Sequence, residues 1–186
     1  IHVERNGKTI VLKPKQLVFA TGSYGPPREP EIKGKMRFKG LQYHSSRHQT
    51  AQDFKGKRCI VVGANSSGHD ICADMWEAGA HATMIQRTPT TVVRSETLMD
   101  IAFAPLYSEQ AVANGIDVDK ADLIFASVPF RLQAGLQKPL YRKMAKRDAD
   151  LIKRLNKAGF MTDYGEDESG LMMKAFRTGS GYYIDV

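Results

Sequence analysis

The 186-residue chain has 42% hydrophobic and 25% charged residues, an ordinary globular balance that allows one compact domain or pieces of two. It holds no apolar run long enough to cross a bilayer and no signal peptide, and its two cysteines, Cys59 and Cys72, form neither a C-x-x-C pair nor a metal site. The net charge of +7 is concentrated: Arg131–Lys157 carries nine Lys/Arg against Asp148 and Asp150, and the remaining 18 basic and 18 acidic residues cancel.

Ile1–Val11 alternates around Asn6-Gly7, the two-residue signal of a type I′ hairpin. Leu17-Val18-Phe19-Ala20 has the pattern of a short buried strand ending at Thr21-Gly22. Ser23–Pro30, rich in Gly and Pro, should be a linker from one sheet to another. Lys33–Phe54 is polar and irregular. His44 and His48 in it are four apart, a spacing that suits two metal ligands on a helix, but no nearby carboxylate or thiol completes a set and no metal site is expected.

Arg58–Arg87 is the most informative stretch. Cys59-Ile60-Val61-Val62 reads as a strand buried on both faces of a parallel sheet. Gly63-Ala64-Asn65-Ser66-Ser67-Gly68 follows, then a helix with Ile71, Met75 and Trp76 on its apolar stripe, a stop at Gly79, and a second strand over His81–Ile85. That is a βαβ unit with a glycine turn suited to a pyrophosphate. Gly63 allows the sharp exit from the strand, Gly68 the close packing of helix on sheet, and the helix start offers free amides. Asn65 stands at the middle glycine position, where it tolerates unusual backbone angles but narrows the approach of the phosphates. An acidic residue holding the ribose of NAD would lie about 20 positions after the first glycine. Gln86-Arg87-Thr88 is found there instead, so a guanidinium would meet a 2′-phosphate and NADP is favoured over NAD.

Beyond it, Thr91-Val92-Val93 suggests a short strand and Ser95–Asn114 a helical stretch. Asp119 would cap a helix over Leu123–Phe125 that Pro129 ends. Tyr141, Met144, Ala145, Leu151, Ile152 and Leu155 follow helical periodicity through Lys157, with the basic residues on the opposite face. Asp163–Glu168 is an acidic turn, and Met172–Phe176 and Tyr182–Val186 read as extended. Starting without Met in strand-like sequence and stopping in strand-like sequence, the chain is expected to be a segment of a longer protein.

Ala20-Thr21-Gly22, then Phe38-Lys39-Gly40-Leu41-Gln42-Tyr43-His44-Ser45, then the turn at Gly63 stand in an order that resembles the flavin-containing monooxygenases. Their identifying motif is F-x-G-x-x-x-H-S/T just ahead of the NADPH-binding glycine turn, and Phe38, Gly40, His44 and Ser45 match it. The resemblance covers about Leu17–Thr88; Gly159–Gly165 and Gly179–Tyr183 look like longer enzymes of the same group. It implies an α/β, Rossmann-like three-layer dinucleotide-binding domain, a fragment of a flavoprotein with two dinucleotide-binding domains. Residues 1–30 would end the FAD-binding domain and its linker, and 31–186 would form the NADPH-binding domain, with a helical insertion at about 95–160.

The implied cofactors are FAD, held mainly by an N-terminal glycine motif that this segment lacks, and NADPH. The implied chemistry is oxygen transfer through a C4a-hydroperoxyflavin to a soft nucleophile (N or S) or a carbonyl. Thr21 and Gly22 would lie near FAD, and His44 and Ser45 would shape the cofactor cleft. Gly63, Asn65, Ser66, Ser67, Gly68, Arg87 and Thr88 would hold NADPH. Two departures stand out: Asn65 in the glycine turn, and His48 where the Baeyer–Villiger branch typically has Trp. The expected partners are a small-molecule substrate and O2, with no nucleic acid, no membrane association and a cytoplasmic location. Two other readings stay open: a pyridine-nucleotide-dependent flavoprotein reductase without oxygen transfer, and a basic module binding nucleic acid or anionic membrane through Arg131–Lys157.

Overall fold

A computed structural model describes residues 1–20 and 25–185, in two compact units, Ile1–Ser46 and Arg47–Val186.

The first unit opens with strands β1 (His2–Arg5) and β2 (Lys8–Val11), antiparallel in the register His2↔Val11 to Arg5↔Lys8. Asn6 and Gly7 have φ of 52° and 70°, the two positive values a type I′ turn demands. Leu17–Ala20 is not a strand. Among the described residues no strand pairs with it, and Val18 and Phe19 are more than 80% exposed, so the apolar run has β-character without a ladder there to satisfy it. Residues 25–30 are free of regular structure, and the irregular segment beyond holds short 3₁₀ turns at Lys35–Arg37 and Ser45–Arg47 and, in the second unit, at Gln52–Phe54.

In the second unit, β3 (Arg58–Val62) and β4 (His81–Ile85) run parallel, from Arg58↔His81 to Val62↔Ile85, joined by α1 (Ser66–Glu77). Alternation sends Cys59, Val61 and Ala82 inward to Ile71 and Met75 of α1, with Ala51 and Ala80 completing this small core. β3 is therefore covered on one face rather than two: Ile60 and Val62 lie 61% and 57% exposed. Trp76 is likewise off the buried stripe, 73% exposed, because the helix presents only Ile71 and Met75 to the strands. Gly79 ends the helix region with φ 82°, as its position suggested.

β5 (Val92–Arg94) leads straight into α2 (Ser95–Leu98), which relaxes into a π-helical turn over Met99–Phe103. The chain continues through α3 (Glu109–Ala113), α4 (Val118–Ala126), α5 (Phe130–Arg147), α6 (Ala149–Lys157) and α7 (Gly170–Thr178) to β6 (Tyr182–Ile184), which pairs parallel with β5. Val93, Leu98, Tyr141, Met144 and Leu171 form the larger core.

Three local expectations are corrected here. Asp117, not Asp119, caps α4, its carboxylate accepting from the Lys120 amide at 2.9 Å. The Tyr141–Lys157 periodicity spans two helices that break at Asp148. That residue is 1% exposed and accepts from the Arg94 amide (2.8 Å) and the Thr97 hydroxyl (2.7 Å), so a buried carboxylate fixes the corner. Met172–Phe176 is helical, not extended: Leu171 and Met173 are buried while Phe176 faces out, and Gly179 closes the helix with φ 62°. On the basic stretch, Arg142 pairs with Glu168 and Arg147 with Asp100. Among the described residues no helix is long and apolar enough to cross a membrane.

Candidate dinucleotide site

The glycine turn takes the form its sequence implies. Gly63 leaves β3 with φ 117° and donates to the Ile85 carbonyl at 3.0 Å, tying the start of the turn to the end of β4. A Cβ on Gly63 would meet nothing within 4 Å, so this side of the turn is open. A Cβ on Gly68 would lie 2.4 Å from the Gly63 carbonyl oxygen, which is backbone and cannot yield; only glycine lets α1 start this close to the strand.

Asn65 does not need the backbone freedom its position suggested. Its φ and ψ are −97° and −177°, extended backbone that any residue adopts, so glycine at this place in related turns answers to space rather than conformation. Nor does Asn65 cap its own helix. Its carboxamide turns away, donating to the Gly179 carbonyl at 3.4 Å and accepting from the Ser180 hydroxyl at 2.9 Å. The Ser66 hydroxyl reaches the Gly181 carbonyl at 3.5 Å, and Ser67 is exposed. The first-turn amides, which have no intrahelical acceptor at any helix start, are thus left without a side-chain cap from Asn65.

His69 and Tyr182 stack with ring centroids 4.0 Å apart, the Tyr182 hydroxyl donates to Asp70 at 3.3 Å, and Phe160 meets His69 edge-on. Burial pushes the His69 imidazole below its ordinary value despite its bond to the Asn65 carbonyl. Burial, with Asp70 nearby, pushes the Tyr182 hydroxyl up.

The segment after β4 is fastened from both sides. The Gln86 carboxamide forms a two-bond clamp with Met161, donating to its carbonyl at 3.0 Å and accepting from its amide at 2.7 Å, and it also donates to the Thr90 hydroxyl. Thr90, 1% exposed, donates to the Ala64 carbonyl inside the glycine turn at 2.9 Å. Lys174 donates to the Pro89 carbonyl and to Asp163, which also receives the Thr91 hydroxyl. Burial alone would raise the Asp163 carboxyl, but Lys174 and Thr91 outweigh it and hold it below the ordinary range. Arg87 and Thr88, between these fastenings, are exposed.

The structure therefore brings Gly63, Asn65, Ser66, Ser67 and Gly68 to one turn and ties to it, through Thr90, the segment bearing Arg87 and Thr88. His44 and Ser45 belong to the first unit. There the His44 Nδ1 accepts from the Ser46 amide at 3.2 Å and lies 3.0 Å from its hydroxyl, an arrangement that starts the Ser45–Arg47 turn. The Phe38 ring lies over Gly40, where a Cβ would sit 2.6 Å from it, and Gln42 donates to the carbonyls of Lys35 and Phe38. The F-x-G-x-x-x-H-S stretch is thus braced in part by its own Phe38, Gln42 and His44 side chains. Thr21 and Gly22 lie outside the described residues. His48 bonds Asp74 of α1 through Nε2 at 2.7 Å, and no cluster of metal-ligating side chains occurs among the described residues.

Gln86, Thr90, Ser180 and Tyr182 are the residues bonded to this turn, to α1 or to the segment after β4 that sequence reasoning did not assign. Ser180 and Tyr182 lie more than a hundred positions from the turn they touch. The only sequence sign was that Gly179–Tyr183 looked like part of the same group of enzymes.

The pyridine nucleotide-disulphide oxidoreductase family matches residues 2–128. Among curated proteins, the chain is 39% identical over 92 residues to a probable indole-3-pyruvate monooxygenase, YUCCA10, of Arabidopsis thaliana, covering 50% of this chain and 24% of that protein. It is 35% identical over 86 residues to indole-3-pyruvate monooxygenase YUCCA1 of Oryza sativa subsp. japonica (46% and 21%). Over 55 residues it is 40% identical to senecionine N-oxygenase of Tyria jacobaeae (30% and 12%). The matched stretches thus span about a quarter or less of these relatives' length. Parallel strands around a glycine turn, the F-x-G-x-x-x-H-S stretch ahead of it, and these likenesses agree: the chain belongs to the pyridine nucleotide-disulphide oxidoreductases, in the flavin-containing monooxygenase family.

Proposed function

We propose that this chain is the NADPH-binding portion of an FAD-dependent monooxygenase with a second, FAD-binding domain, the whole enzyme transferring one oxygen atom of O2 to a nitrogen, sulfur or carbonyl centre of a small molecule. The observation that carries the reading is the start of α1: a parallel-strand glycine turn, open at Gly63, leads into first-turn amides that Asn65 leaves uncapped. Oriented amides and the helix dipole suit a pyrophosphate. Arg87, exposed at the end of β4 on a segment clamped by Gln86 and Thr90, supplies the cation that a 2′-phosphate requires.

These residues fit NADPH. When bound, NADPH supplies reducing equivalents and FAD the means to activate O2. In this reading the amides of Ser66, Ser67 and Gly68 fix the pyrophosphate, Arg87 and Thr88 engage the adenosine phosphate, and the Thr90–Ala64 bond keeps the two binding elements at a set spacing. Thr21 and Gly22, the residues expected beside FAD, lie outside the described ones. The N-oxygenase among the relatives favours a soft nucleophile, and the indole-3-pyruvate monooxygenases a carbonyl compound.

Calorimetric titration of the chain with NADPH and NADH tests the first half: tighter binding of NADPH is expected, and equal affinities would refute the 2′-phosphate assignment. For the whole flavoprotein, NADPH consumption should match oxygenated product. Peroxide release in place of product would point to a reductase.

A further inference from the structure

We propose that Asn65 is a positioning residue, its carboxamide held out of the pyrophosphate approach by the Gly179–Ser180 loop, so that this remote loop sets dinucleotide affinity. The proposal rests on the NADPH reading above and goes beyond it.

A glycine in the middle of such a turn leaves room for phosphate oxygens against the backbone. With Asn65 in extended conformation, any side chain could be built there, and the cost of losing glycine is only the space its side chain takes. That space is surrendered elsewhere. Both polar ends of the carboxamide are engaged by one loop, Oδ1 by the Ser180 hydroxyl and Nδ2 by the Gly179 carbonyl, so the group cannot swing back without giving up both bonds.

The loop is in turn immobilised. The Tyr182 amide donates to the Thr91 carbonyl at 2.9 Å, at the start of the β5–β6 pairing, and a Cβ on Gly181 would fall 2.3 Å from Leu171 of the larger core. Tyr182 also lies flat on His69 in the first turns of α1. The loop is therefore a fixed post anchored to both the helical core and α1. An untethered carboxamide would turn toward its own helix start, where Asn side chains commonly cap the free amides, and would compete with the phosphates for the same donors.

The test is titration calorimetry of the chain with NADP⁺ and, in parallel, with adenosine 2′-monophosphate, which has no pyrophosphate. Ser180→Ala removes one of the two bonds to the carboxamide and should weaken NADP⁺ binding about fivefold, the effect of one ordinary hydrogen bond. Adenosine 2′-monophosphate should be unaffected. Asn65→Gly on the Ser180→Ala background should restore NADP⁺ affinity to within about twofold, because no side chain is left to obstruct; Ser180→Thr, which keeps the hydroxyl, should bind like the parent. A loop that merely stabilises the fold would give a different pattern, with both ligands weakened together and no rescue by Asn65→Gly. That pattern, or Ser180→Ala binding NADP⁺ as tightly as the parent, overturns the proposal. If the unaltered chain binds NADP⁺ not at all, the NADPH reading itself fails and this inference falls with it.

Discussion

Around β3, α1 and β4 the buried set is small, Ala51, Met75 and Ala80 with a few half-covered neighbours, and the outer faces of both strands are open. Between Val92 and β6 the chain instead closes on Val93, Leu98, Tyr141, Met144 and Leu171, with Met173, Thr97 and Asp148 almost wholly out of water. The first region is defined by backbone geometry: a φ, a close approach, amides at a helix start. The second is defined by side-chain volume and buried polar bonds. Substitutions should therefore separate, with core changes shifting stability and turn changes shifting ligand affinity.

The largest effect is expected at Asp148. Asp148→Ala strands the Arg94 amide and the Thr97 hydroxyl in a dry setting and removes the buried partner of the Arg94 guanidinium. A loss of roughly 3–4 kcal/mol should appear in urea unfolding. If the loss is below about 1 kcal/mol, water reaches this corner and the two regions differ less in how they are held together.

Gly68→Ala comes next. The added methyl meets the Gly63 carbonyl, so α1 must shift, and a cost of about 1–3 kcal/mol is expected, with NADPH affinity falling at least tenfold. An unfolding loss without an affinity loss would break the link between turn geometry and binding. Arg87→Ala should leave the unfolding midpoint within error, since the side chain is exposed, yet reduce the preference for NADPH over NADH about tenfold or more.

Acidification gives the mildest test. The Asp163 carboxyl is held below its ordinary value in the folded chain, so its contribution to stability is complete above the unfolded aspartate value and is lost as pH falls through the folded one. The stability difference between the parent and Asp163→Asn should accordingly shrink as pH drops through the usual carboxylate range. A difference independent of pH there would mean that Asp163 gains nothing from its charge.

Short-range patterns were legible from sequence. Asn6-Gly7, Gly63 and Gly68, and the stop at Gly79 each reflect a requirement of one or two residues, and all four hold. The outward Ile60 and Val62, and Leu17–Ala20, which pairs with no strand among the described residues, show where reading failed: an apolar run states what a strand could bury, not what is present to cover it. Asp148 failed for another reason. A helical period continues through it, and only the distant Arg94 and Thr97 make a break there favourable. The site divides in the same way. The turn and Arg87 could be found by spacing, whereas Gln86–Met161, Thr90–Ala64 and Asn65–Ser180 join positions that no local pattern connects.

Trp76, the chain's sole tryptophan, is already largely in water on the outer side of α1. Its emission in the native state should resemble that of a denatured chain, so intrinsic fluorescence would register melting of the molecule faintly if at all. The same isolation makes it a clean optical label for α1: a quencher, or an energy-transfer acceptor such as the dihydronicotinamide of NADPH, would report on that helix alone, free of background from any other indole in the chain.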